Sequence, residues 1–218
     1  MPTLTKLSFT LVIVLVLSFA AAGEVRADAI VFSNFGPGMT FNVPQAWNVS
    51  GTNFFGGRVV AQSFTPTVNV AFSSAQLPMG IINGPNLLQV LLMTISGGLP
   101  GTIVEAITLT DAVAPIGTGG IVLANSALHP VLNAGTEYWL VAFAPDDNTF
   151  MGWNLSLNDF STFVLLNGTH SITGPWEFSA PRGAFQINGS PVPEPATMLL
   201  LGAGILSIMF RRRKQAAR

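Results

Sequence analysis

Tyr138-Trp139-Leu140-Val141-Ala142-Phe143 is an apolar run without a polar break. It is too short for an ordinary helix and is rich in aromatic and branched side chains. It follows the turn sequence Leu132-Asn133-Ala134-Gly135-Thr136. A short apolar run bounded by a turn reads as a strand inside a β core, where neither face needs a polar row. Outward from it, Gln62-Ser63-Phe64-Thr65 and Val68-Asn69-Val70-Ala71-Phe72 alternate with the period of two that a half-buried strand requires. Gly, Pro, Asn and Ser break the apolar runs at intervals of about 8 to 15 residues, and no helical heptads occur. Strands are predicted over 30–35, 58–65, 68–77, 87–95, 102–109, 121–124, 137–144, 150–155, 163–166 and 183–188. The run 87–95 has the composition of a helix, but Gly84-Pro85 and Gly97-Gly98 on its flanks favour a strand. The expected fold class is all-β: a single antiparallel β-sandwich, jelly-roll-like, over residues 28–190.

Charge separates this middle from the two ends. Of nine Lys and Arg in the 218-residue chain, only Arg58 and Arg182 lie between Asp28 and Pro195, against nine acids, a formal net charge of −7. A nucleic-acid binder needs clustered cations to displace counterions from phosphates, so that class is excluded. The same field opposes anionic lipid. The chain has no cysteine, which removes disulfides, thiolate metal sites and cysteine nucleophiles.

The first 27 residues read as a signal peptide. Lys6 and the amino terminus supply the positive start, and residues 7–22 are apolar. Val25-Arg26-Ala27 then offers compact residues at −3 and −1 for cleavage after Ala27. Ala20-Ala21-Ala22 offers a second site. The far end, 191–218, has three parts: Pro193-Glu194-Pro195, an apolar stretch over 196–210, and the basic cluster Arg211-Arg212-Arg213-Lys214. As a helix the apolar stretch spans about 22 Å against about 30 Å of hydrocarbon, so it is a short transmembrane helix that its arginines must extend by snorkelling. Cations stay on the cytoplasmic side, which leaves the preceding domain outside. The prolines keep Glu194 in an extended, accessible linker.

This ending resembles the PEP-CTERM sorting signal of Gram-negative bacteria. The resemblance implies an inner-membrane-anchored intermediate and removal of the tail by an exosortase, an integral-membrane transpeptidase. It also implies delivery to the cell surface, outer envelope or extracellular matrix, in systems that accompany exopolysaccharide and biofilm production. Signal peptidase and exosortase are then the expected partners, with exopolysaccharide a further one.

Four segments of the middle are similar to the choice-of-anchor R domains, exported β domains joined to varying surface anchors. They are Phe35-Gly36-Pro37-Gly38, Gly97-Gly98-Leu99-Pro100-Gly101, the turn-to-strand passage over 132–140, and Met151-Gly152-Trp153. That resemblance supplies no ligand.

No catalytic set emerges. No Gly-x-Ser-x-Gly surrounds a serine. His129 and His170 read as exposed turn residues. Glu105 falls mid-strand on what should be the solvent face, Glu137 sits at a strand start where a charge is simply solvated, and Glu177 follows Trp176, so a facing pair of acids is not expected. Asp146-Asp147-Asn148 and Asn158-Asp159 are oxygen-rich, which makes Asp146, Asp147 and Asp159 candidates for a weak structural calcium site. Trp47, Trp153 and Trp176, with amide neighbours such as Asn42, Asn48, Asn53 and Asn154, are candidates for stacking on sugar. Trp139 belongs to the core. The expected function is that of a non-enzymatic cell-surface or matrix protein. A carbohydrate-binding module and an unrecognised hydrolase are the alternatives.

Overall fold

The computed structural model describes residues 28–167 and 170–192, together with Gly202 and Gly204. The expected signal peptide, the cleavage position at Ala27, Pro193-Glu194-Pro195 and the basic end 211–218 lie outside the described residues. Of the expected helix over 196–210, Gly202 and Gly204 are described, and both are helical. Among the described residues no helix is long and apolar enough to cross a membrane.

The chain runs as β1 (Ala29–Ser33), a short 3-10 turn (Pro37–Met39), β2 (Asn42–Ser50), β3 (Arg58–Phe64), β4 (Val70–Asn83), β5 (Leu87–Ser96) and β6 (Leu99–Thr110). There follow β7 (Ile121–Asn125), β8 (Val131–Leu132), β9 (Tyr138–Phe143), β10 (Phe150–Leu155), β11 (Phe163–Asn167), β12 (Trp176–Ser179) and β13 (Gln186–Pro191). Hydrogen bonds join them into one antiparallel sheet in the order β1-β13-β4-β10-β2-β3-β9-β5-β6. β7 and β8 are added on β4, and β11 and β12 beside β3.

The sheet curls into two layers. Between β2 and β3 the only register pair is Ser50 with Arg58, which makes that junction a corner. One continuous core lies between the layers: Phe72, Leu77 and Met79 of β4, Trp153 of β10 and Ile187 of β13 meet Phe64 of β3, Leu88 and Leu92 of β5, and Leu140 of β9. Phe185 carries the contact across, with ring centroids 4.7 Å from Phe32 and 6.3 Å from Phe64. The expected all-β sandwich is therefore present as a curled antiparallel sheet.

β9 explains its own lack of polar alternation. Tyr138, Leu140 and Ala142 face the main core, while Trp139 and Val141 face a second, smaller core on the outside of the same layer. Val59, Ala61, Leu91 and Met93 join them there, and Ile172 and Trp176 pack over the top. An exterior face of a sandwich is ordinarily wet, so this one is apolar because the segment leading into β12 covers it.

The β5–β6 hairpin turns on Gly97-Gly98 alone, since Ser96 pairs with Leu99. Both glycines have positive φ, 60° and 82°. That is the two-residue turn whose twist matches the flanking strands and which side chains resist.

β2, β8 and β12 were not anticipated. β2 holds Pro44 and several amides, poor strand material on its own. It forms because β10 pairs along it, Trp47 opposite Trp153. Where Pro44 interrupts the ladder, the Asn154 side-chain amide donates instead to the carbonyl of Val43 at 2.8 Å. β4 runs six residues past its expected end, and β13 starts later than expected but continues to Pro191.

Candidate functional site

The sorting tail leaves the fold at a defined place. β13 ends with Pro191 opposite Val70, the first residue of β4. Val192 is still held, its amide donating to Asn69 O at 3.0 Å. β1 begins beside it: Ala29 pairs with Gly189, and Ser190 Oγ donates to Asp28 Oδ1 at 2.9 Å. The start of the described chain and the exit toward Pro193 therefore share one end of the molecule, the proximal pole. The turn before β9 lies there too, because Ala134 N donates to the Asn69 side chain at 2.8 Å. Val68 and Val131 are more than half exposed at this pole.

At the other end of β4, Asn83 pairs with Phe150. β4 spans 14 residues, so the two poles are up to about 43 Å apart at about 3.3 Å per residue step. The distal pole carries an aromatic group that the sequence reading missed. Phe54 stacks on Phe150 at 5.3 Å, Phe55 meets Phe150 edge-on at 5.5 Å, and the Arg58 guanidinium lies 5.4 Å from the Phe55 ring centre. Phe55 is 57% exposed and sits at φ 52°, a conformation a bulky side chain rarely adopts. The visible signal was Phe54-Phe55-Gly56-Gly57, two aromatics in a turn rather than in a strand.

Beside this group lies the Asp146-Asp147-Asn148 loop. It is packed down onto two glycines: a Cβ on Gly51 would sit 2.1 Å from Asp146 O, and one on Gly84 would sit 1.8 Å from Asn148 O. Its side chains are engaged by protein: Thr52 Oγ1 donates to Asp147 Oδ1 at 2.7 Å, and Asn53 Nδ2 to Asn148 Oδ1 at 2.7 Å. His170 Nδ1 lies 3.4 Å from Asp147 Oδ1. The His170 ring is mostly buried against Phe143, 5.0 Å away, so it is not the exposed turn residue expected.

Asp159 belongs to a different group. It lies 3.5 Å from Arg182 Nη1, accepts from Asn34 Nδ2 at 3.3 Å and from Ser161 N at 3.0 Å. Arg182 is buried between Phe32 and Phe185, 5.7 and 5.4 Å from the ring centres, and also bonds Ser63 O and Gln62 Oε1. Burial alone would raise the Asp159 pKa; the Ser161 hydrogen bonds, the Arg182 charge and Asn34 outweigh it and hold the carboxyl below its ordinary value. The three acids named for calcium thus split between two sets of protein partners. Among the described residues no group of three His, Asp or Glu is placed to hold a metal.

Glu105 corrects another expectation. It is not on a solvent face but 3% exposed, accepting from Ser126 Oγ at 2.6 Å, Ala127 N at 2.7 Å and Leu128 N at 3.0 Å. It caps the loop after β7. Ser126 Oγ points at this carboxylate, while His129 Nδ1 lies against Phe72 O at 3.2 Å, so the serine and the imidazole ring are not coupled.

The three tryptophans do not form a sugar platform. Trp153 is fully buried, its indole N–H donating to Ala184 O at 2.7 Å. Trp47 lies on β2 rather than in a loop, bonded to Pro181 O at 2.7 Å and packed on Phe163 at 4.9 Å. Trp176 opens β12 and covers the second core. Asn154 is spent on the β2 carbonyls.

The PEP-CTERM protein-sorting motif matches residues 191–214. The match begins at the last residue of β13, so domain and signal abut without a spacer. No curated protein and no solved structure matches the chain. The motif marks a PEP-CTERM protein: it implies export, a membrane-anchored intermediate, and sorting through exosortase toward the cell surface.

Proposed function

We propose that the chain is a non-enzymatic protein of the cell surface or extracellular matrix, delivered by the PEP-CTERM route and linked to exopolysaccharide or biofilm. The observation that carries this reading is the 191–214 motif fused directly to the end of β13. Support for a non-enzymatic role comes from the acids and hydroxyls inside the fold. Glu105 and Ser126 satisfy each other and the neighbouring backbone. Asp159 is committed to Arg182, Asn34 and Ser161. None of these groups is left to act on a substrate.

Truncation after Val192 tests the reading. The truncated chain folds, is exported and is recovered free in the medium, whereas the full chain is retained on cells or in matrix. Equal retention of both forms contradicts it.

A carbohydrate-binding role is favoured by one feature, the exposed Phe55 face beside Arg58. An exposed aromatic face suits the apolar face of a sugar ring. Phe55→Gly relieves the left-handed backbone while removing the ring, so stability stays within about 1 kcal/mol. Titration calorimetry with the host exopolysaccharide gives heat for the native chain and none for Phe55→Gly. Equal binding by the two removes this role from the pad.

A further inference from the structure

We infer that the proximal pole seats on the outer surface of the lipid bilayer while the sorting tail is still attached, with Val68 and Val131 as its apolar contact. The inference rests on the membrane-anchored intermediate that the sorting motif implies. It adds an orientation and a contact face.

The tether between fold and tail is short. The Val192 amide is fixed to Asn69 O inside the fold, and the apolar stretch begins at Ala196. Four residue steps reach at most about 14 Å when fully extended. A folded domain joined by so short a link cannot tumble away from the membrane; only the end that releases Val192 can face it. The described chain starts at the same pole, Ala29 paired with Gly189 and Asp28 bonded to Ser190. The start of the described chain and the tail exit therefore share the end that faces the tether.

Val68 is 55% and Val131 is 53% exposed, and they border the Asn69 that holds the tail and the Ala134 turn. Of the domain's two arginines, Arg58 opens β3 opposite Ser50 at the far end, and Arg182 is buried and paired with Asp159. The contact is apolar, and the domain's negative charge, Asp28 at this pole included, favours neutral over anionic headgroups. The distal pole, up to about 43 Å away along β4, is held clear of the lipid.

The absence of cysteine makes the test direct. Single-cysteine forms Val68→Cys, Ala134→Cys and Thr110→Cys of the chain from Asp28 to Arg218 are labelled with an environment-sensitive fluorophore. They are reconstituted into phosphatidylcholine vesicles, with flotation reporting anchoring independently. Labels at 68 and 134 shift to the blue and are quenched by brominated lipid, and the label at 110 stays water-like. In a Val68→Asp, Val131→Asp chain the label at 134 returns toward water while flotation persists. Flotation with identical, water-like spectra at all three sites overturns the seating and leaves the anchor intact. Loss of flotation overturns both.

Discussion

Glu105 stands between Val104 and Ala106 in a strand, and a carboxylate there reads as solvated. The structure instead sets it under the loop after β7, where it accepts a hydroxyl and two backbone amides. Burial alone would raise its pKa; the bonds from Ser126, Leu128 and Ala127 and the His129 charge outweigh burial and lower it. Removing the carboxylate leaves one buried hydroxyl and two part-buried amides without their acceptor. Glu105→Ala therefore costs about 2–4 kcal/mol in urea unfolding at pH 7, and Glu105→Gln, which keeps one acceptor, costs less. The pH dependence follows from the sign. Glu105 and Asp159 are both lowered on folding. Their stabilisation is complete above the unfolded carboxyl pKa of about 4 and is lost as pH falls through the folded values. Unfolding free energy should hold steady from pH 7 to about 5 and fall below about 4, less steeply in Glu105→Gln. Such roles were not legible because partners far apart in sequence supply them: Ser126 and Glu105 are 21 residues apart, and Asn154 and Val43 are 111 apart.

At the scale of elements, the strongest local signals were right. The 138–143 run is a strand buried on both faces, and 150–155 coincides with β10. Gly97-Gly98 is the hairpin turn. The strands that escaped notice, β2, β8 and β12, have weak local preference and form because a neighbour pairs with them. β12 matters beyond its length, because Trp176 at its start covers the second core over Trp139, Leu91 and Met93. Trp176→Ala uncovers that face and costs about 3 kcal/mol locally. Amide exchange should then quicken in β11 and β12 while β4 and β13 keep their protection; uniform acceleration would mean that the second core is not a separate unit.

For the whole molecule, the tail was more legible than the middle. A proline-flanked, apolar, basic finish is a pattern of composition, which a sequence carries in full. What the sequence could not display is that β1 and β13 are neighbours, so that the chain start and the tail exit share a pole opposite the Phe54–Phe55–Phe150 group. The candidate site shifted for the same reason: the tryptophans were drawn into the cores, and a turn with two phenylalanines was left outside. The central claim is that this domain is delivered by a tail that is then removed. Mass spectrometry of the C-terminus of the protein isolated from the producing cell's surface tests it most directly. The mature form should lack the apolar and basic residues 196–218; a surface form that still ends in Arg218 contradicts the account.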